Sequence, residues 1–309
     1  MVRVTQGDKV AILSPASIIN PDYVDGAAAT LRRWGLHPEV MPHTLGEHGS
    51  FSGSATDRLS DLRAAMTDPE IKAIICSRGG YGCVHLLPEL DRLMASGEVS
   101  PKWLVGFSDV SALHALWGKY GWPSVHASMT KHLTLGGPDD PLNLRLLSIL
   151  RGEKPELMFP TGFSGSPSGK LSRPGKADGM VVGGNLAVLG GLIGTPVNPI
   201  RPATILLIED IAEPIYKVER ILWQLRLAGI FDNLAGLIVG QFTDYKYPSR
   251  DYADMYAMID SFLSHTPGGV PFPVAMDVPV GHIDENHPLI LNLEARLEVS
   301  EGRASLRYH

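Results

Sequence analysis

Along the first half of the chain, short apolar runs alternate with longer stretches of helical period. Lys9 to Ser14 reads as a strand and Tyr23 to Trp34 as an amphipathic helix. Val40 centres a short second strand, Asp57 to Met66 a helix, Ile71 to Cys76 a third strand, and Trp103 to Phe107 a fourth, followed by a helix from Asp109 to Tyr120. Strands and helices in this rhythm imply right-handed crossovers and a largely parallel sheet. From Gly152 to Gly179 the period is lost. Four prolines and six glycines crowd that stretch, which reads as a linker at 152–179 between domains at 1–151 and 180–309. Beyond it, Ile205 to Ile208 reads as a buried strand, Ile215 to Leu227 as a helix, Gly236 to Phe242 as a strand, and Leu289 to Tyr308 as β-hairpin structure. The expected fold is α/β: an amino-terminal, largely parallel sheet domain and a smaller carboxy-terminal domain of mixed α and β structure.

A length of 309 residues suits two cores, and 44% hydrophobic with 19% charged residues is the composition of a chain that folds. The net charge of -6 arises from 33 acidic and 27 basic residues spread without a Lys/Arg block, so no nucleic-acid partner is expected. Met1 to Asp8 lacks an apolar run of signal-peptide length and no later apolar stretch is long enough to span a bilayer, so the expectation is a cytoplasmic protein without a membrane partner. Cys76 and Cys83 are too few for a disulfide framework and have no companion pair for a zinc site, so they read as small buried thiols; no cofactor is expected.

Three segments can carry chemistry. In Leu104-Val-Gly-Phe-Ser-Asp109, Ser108 stands where a buried strand gives way to a helix, at the carboxyl edge of a parallel sheet where such folds bind ligands. Its neighbouring amides could hold an oxyanion. The commoner role for Ser108 or Asp109 at such a junction is a helix cap. The segment also departs from G-x-S-x-G, because Val110 replaces the second glycine. Ser77-Arg-Gly-Gly-Tyr-Gly82 suits a tight turn with amides facing a ligand, an oxyanion or a phosphate, although its spacing is not that of a dinucleotide site. Glu209 and Asp210 end a strand, and His282 follows Gly281 in a turn. Each alone is ordinary, but together with Ser108 they supply nucleophile, acid and base. His126 and His114 are rival bases, His114 reading as packing on a helix face.

The ordered set Ser-Arg-Gly-Gly-Tyr-Gly, Gly-Phe-Ser-Asp-Val, His126, Gly183-Gly-Asn-Leu, Ile208-Glu-Asp-Ile-Ala-Glu213 with Tyr216, and Gly281-His282 resembles the LD-carboxypeptidase family, which includes the microcin-immunity peptidases. The match runs from about Lys9 to about Leu297. The resemblance implies a doubly wound amino-terminal domain that supplies the nucleophile Ser108, and a carboxy-terminal domain that supplies the acid Glu209 and the base His282. It implies oxyanion donors at the amides of Asp109 and of Gly80 or its neighbour, and a metal-free cytoplasmic homodimer that removes the terminal D-alanine from a murein tetrapeptide. Arg78 is a candidate for the substrate carboxylate, with Gly79, Tyr81 and His126 beside it. Two departures, Ala127 in place of glycine and the acidic stretch Ile283 to Pro288, bear on substrate preference. The alternatives are an immunity-type peptidase acting on aminoacyl-nucleotide amides, for which only Phe159 and Phe163 in the linker offer aromatic rings, and a non-catalytic nucleotide-binding protein built on the turns at Gly79 and Gly183.

Overall fold

A computed structural model describes residues 2–245, 249–265 and 269–309. The chain divides into two units, Met1–Glu153 with His287–Asn292, and Lys154–Asn286 with Leu293–His309.

In the first unit, β1 (Lys9–Leu13), β2 (His37–Val40), β3 (Ile71–Cys76), β4 (Trp103–Gly106) and β5 (Ser124–His126) are parallel. Their order is 2-1-3-4-5, the doubly wound arrangement. They alternate with α1 (Pro21–Arg33), α2 (Ala55–Thr67), α3 (Leu87–Ala95), α4 (Ser111–Lys119), α5 (Thr130–Gly136) and α6 (Pro141–Leu150). The strands read as unbroken apolar runs because helices cover both faces of the sheet: every residue of β4 is buried, as is all of β1 after Lys9. Helix starts are written locally. Asn20 caps α1 ahead of Pro21, and Ser54 forms a capping box with Asp57 at the start of α2. Strand order reverses between β1 and β3, so the loops leaving them diverge and open a crevice at the carboxyl ends. The glycine turn after β3 and Ser108 after β4 both lie at those ends.

The second unit is built on β6 (Leu157–Pro160), β7 (Gly175–Asn185), β8 (Thr204–Ile211), β9 (Gly236–Thr243) and β10 (Val274–Ala275), with α7 (Leu186–Leu192), α8 (Ile215–Leu227) and α9 (Met255–Ser264). After these come β11 (Leu289–Leu291), β12 (Leu293–Ser300) and β13 (Arg303–Tyr308). β7 to β10 are parallel, while β12, β13 and β6 extend the sheet antiparallel from β7. Val218 and Leu222 of α8 and Ile259 and Phe262 of α9 share a core with Leu206, Ile208, Leu237 and Val239 of the parallel strands.

Two features differ from the sequence reading. The proline- and glycine-rich stretch 152–179 carries β6 and the start of β7; in β6 only Leu157 and Phe159 are buried, an alternation too short to stand out among the breakers. The expected hairpin at 289–308 is divided. β12 and β13 form it, whereas β11 pairs antiparallel with β5 in the first sheet. Asn292, left-handed at φ 60°, separates the two, and its side chain donates to the carbonyls of His114 (3.0 Å) and Trp122 (3.2 Å). Among the described residues no helix is long and apolar enough to cross a membrane.

Candidate active site

In the first unit, β4 delivers Phe107 in extended conformation and then Ser108 at φ 64°. A non-glycine residue held there costs about 1–3 kcal/mol, and here it makes the turn from strand to helix a sharp one. Gly106, the first glycine of the pattern, leaves room for Val110: a Cβ on it would lie 3.0 Å from both methyl groups of Val110 and 3.2 Å from Cys76 Cβ. No side chain caps the 3-10 turn at Ser108–Val110 or the start of α4. Asp109 instead accepts a hydrogen bond from the amide of Cys83, at 2.8 Å, across in the glycine turn.

That turn backs directly onto the serine. A Cβ on Gly79 would lie 2.8 Å from Ser108 Cβ, 3.0 Å from its Oγ and 3.2 Å from the Asp109 nitrogen. Gly80 (φ 104°) leaves room for Ser17, whose amide donates to the Gly79 carbonyl at 3.2 Å and whose hydroxyl accepts from the Tyr81 amide at 3.4 Å. Arg78 is exposed and donates through Nη1 to the Ile18 carbonyl at 3.0 Å. Tyr81 is also exposed, with its ring against those of Phe51 and His85. His126 is buried on β5 in register with Gly106, its ring edge-on to Phe107 at 5.7 Å. His114 bonds to Ser124 Oγ and the Gly106 carbonyl, and burial pushes its pKa down to about 3, so it stays neutral and serves packing.

In the second unit, the pairing of β8 with β9 shifts between Ile208 and Asp210, at Glu209. The Glu209 side chain is fully buried. Two glycines make its space: a Cβ on Gly240 would stand 3.2 Å from Glu209 Cβ, and one on Gly281 (φ 132°) 3.1 Å from both Glu209 Cβ and Oε2. The Oε2 oxygen lies 2.7 Å from His282 Nδ1. With the Nδ1 proton directed at the carboxylate, a neutral His282 has Nε2 as its proton acceptor. Burial acts to lower the His282 pKa, but the charge and hydrogen bond of Glu209, with the charges of Asp210 and Asp244, outweigh it and raise the pKa above the ordinary imidazole value. The turn is held by the Gly281 amide donating to Asn286 Oδ1 at 2.9 Å and by Gln241 donating to the Val280 carbonyl.

Asp210, next in sequence, does a different job. It accepts from Asn185 Nδ2, Ala187 N and Ile211 N, each at 2.8 Å, and burial together with the charge of Glu209 pushes its pKa up to about 6. Among the described residues no group of three or more His, Cys, Asp or Glu side chains forms a metal-ligand set. The structure therefore joins Ser108 with Gly79, Gly80 and Asp109 in one unit, and Glu209 with His282 in the other. Sequence reasoning missed Ser17, Arg58 and Gly240. Ser17 and Arg58 act on backbone carbonyls and amides remote in sequence, and a single glycine inside a strand carries little local signal.

Residues 10–127 match the model of the LD-carboxypeptidase N-terminal domain and residues 178–297 that of the LD-carboxypeptidase C-terminal domain. The murein tetrapeptide carboxypeptidase of Pseudomonas aeruginosa is 32% identical over 289 residues, covering 90% of this chain and 89% of that protein. The crystal structure of muramoyltetrapeptide carboxypeptidase from Oxalobacter formigenes superposes with a TM-score of 0.81 at 27% identity, covering 97% of this chain and 98% of that one. MccF in complex with glutamyl sulfamoyl guanosine shares the fold, with a TM-score of 0.80 at 22% identity over 100% of this chain and 98% of that one.

Proposed function

Since the chain belongs to the LD-carboxypeptidase family of peptidases, we propose that it is a serine carboxypeptidase that removes the terminal D-alanine of a murein tetrapeptide through Ser108, His282 and Glu209. The observation that carries this reading is Ser108 itself, strained at φ 64° at the end of a parallel strand and packed against a glycine turn. A helix cap has no need of that conformation. The pairing of His282 with the buried Glu209 supports the other half of the assignment.

In the proposed reaction His282 Nε2 takes the Ser108 hydroxyl proton while Glu209 holds the Nδ1 proton and stabilises the imidazolium. Ser108 Oγ attacks the carbonyl carbon of the bond to D-alanine, and the oxyanion is held by the amides of Asp109 and Gly80. Collapse of the adduct breaks the C–N bond, and the D-alanine amine leaves with the proton carried by His282. Water, activated in turn by His282, then releases the tripeptide acid. Arg78 keeps guanidinium donors on the exposed face of the turn for the substrate's terminal carboxylate, a task suited to a planar fork. Phe159 is buried in the second sheet and only Phe163 is exposed, which leaves one aromatic ring in this stretch for stacking a nucleobase and favours murein peptide over an aminoacyl-nucleotide.

The test is mass spectrometry of a murein tetrapeptide incubated with the wild-type protein and with Ser108→Ala, with an aminoacyl-adenylate amide in parallel. Loss of one D-alanine with the wild type alone supports the proposal. Cleavage of the adenylate amide alone would replace its substrate, and no turnover of either would overturn it.

A further inference from the structure

Two charged side chains lie buried behind the glycine turn. Arg58, on α2, is 2% exposed, and its Nη1 donates both to the Pro15 carbonyl after β1 (2.7 Å) and to the Gly82 carbonyl in the turn (3.0 Å). Its guanidinium sits 5.0 Å from the centre of the Phe51 ring, and a Cβ on Gly82 would come within 2.7 Å of Nη1. The Asp109 carboxylate, 5% exposed, accepts the Cys83 amide at 2.8 Å; burial raises its pKa, opposed by that hydrogen bond and by the charge of Arg58. Burying a cation and an anion is costly, so their retention calls for a reason beyond packing.

The glycine turn supplies that reason. Gly80 and Gly82 take φ of 104° and 128°, and a chain so rich in glycine loses the most conformational freedom when it is fixed. Ser17 holds the early part of the turn by bonds of 3.2 and 3.4 Å. Its far part hangs on the two charged side chains, at 2.8 and 3.0 Å. Asp109 is also the residue whose own amide adjoins Ser108.

We propose that Arg58 and the Asp109 carboxylate are positioning residues for the oxyanion-binding amides, fixing the glycine turn relative to the amide of Asp109. This rests on the serine-peptidase reading above. Neither side chain touches substrate. They hold the donors where charge develops in the transition state, and a displacement of about 1 Å in such a site can cost on the order of 100-fold in rate.

The experiment compares Asp109→Leu and Arg58→Met with the conservative Asp109→Asn and Arg58→Lys. The first two should lower kcat by about 100-fold with KM near wild type, and weaken binding of a tripeptide boronate, which forms a tetrahedral adduct with the serine, by a similar factor. Affinity for the product tripeptide should stay constant, and the conservative pair should recover most of the loss. In parallel, amide hydrogen exchange at Gly79 to Cys83 should speed up by at least about 10-fold in the Leu and Met variants while that of β3 does not change. A rise in KM with kcat intact, boronate affinity equal to wild type, or unchanged exchange in the turn would each overturn the proposal. If the wild type neither releases D-alanine nor binds the boronate, the functional reading has failed, and the exchange measurement alone decides whether the two side chains fix the turn.

Discussion

Replacing Gly79 by alanine tests how closely the site is built. The new methyl group would meet Ser108 Cβ at 2.8 Å, Ser108 Oγ at 3.0 Å and the Asp109 nitrogen at 3.2 Å. Ordinary carbon contacts are about 3.5–4.0 Å, so roughly half an ångström or more must be recovered. Nothing nearby is a flexible chain end: one neighbour is backbone and the others belong to a residue already strained at φ 64°. The glycine turn and the elbow must therefore separate, which moves the Asp109 amide relative to the turn. Overpacking of this kind costs about 1–3 kcal/mol of stability, and a shift near 1 Å about 100-fold in turnover. The expected outcome for Gly79→Ala is a folded protein whose kcat for D-alanine release falls between about 10- and 100-fold, with KM little changed. Coupled detection of free D-alanine gives the rates, and denaturant unfolding gives the stability. A variant with wild-type kcat would refute both the close approach and the assignment of the turn to the oxyanion.

Asp210→Asn removes one of the negative charges that raise the His282 pKa. Because the base works only when neutral, activity falls as pH drops through that raised value; with the charge gone, the acid limb of kcat/KM should move to lower pH, and an unmoved limb or one shifted upward would contradict the electrostatic account. Ser108→Gly should abolish turnover yet be more stable than Ser108→Ala by about 1 kcal/mol, since glycine adopts the left-handed conformation freely whereas alanine retains the strain. Equal unfolding midpoints for the two variants would show that the strain is not there.

The parallel strands and the helices between them were legible in the sequence because burial on both faces leaves unbroken apolar runs, and caps such as Asn20 and Ser54 are written in adjacent residues. Glu209, at the end of an apolar run, and His282, beside Gly281, are likewise marked by adjacent residues, and the structure pairs their side chains at 2.7 Å. What the sequence did not display was anything fixed by pairing at a distance. β6 carries two buried side chains, and only its ladder with β13 makes it a strand. β11 reads as part of the hairpin that follows until its pairing with β5 is known. Val110 stands where the G-x-S-x-G pattern has its second glycine, and its packing against Gly106 is likewise something the spacing alone does not display.

Each unit places a strained or buried side chain of the proposed triad against glycine. Gly79 and Gly106 crowd the Ser108 elbow, and Gly240 and Gly281 crowd Glu209. At Gly79, Gly240 and Gly281 a Cβ would intrude on the reactive group or on the backbone beside it, and at Gly106 on the Val110 methyls and Cys76 Cβ, so these glycines serve close approach, and only Gly281 among the four also has a left-handed φ. Alanine at Gly106 or Gly240 should therefore act through displacement alone. Gly281 carries both demands, and its substitution presses on Glu209 Oε2, the oxygen that holds His282. Of the three, the Gly281 variant is expected to lose the most activity per unit of stability lost, because its strain falls on the proposed acid–base pair and not on the sheet beneath it.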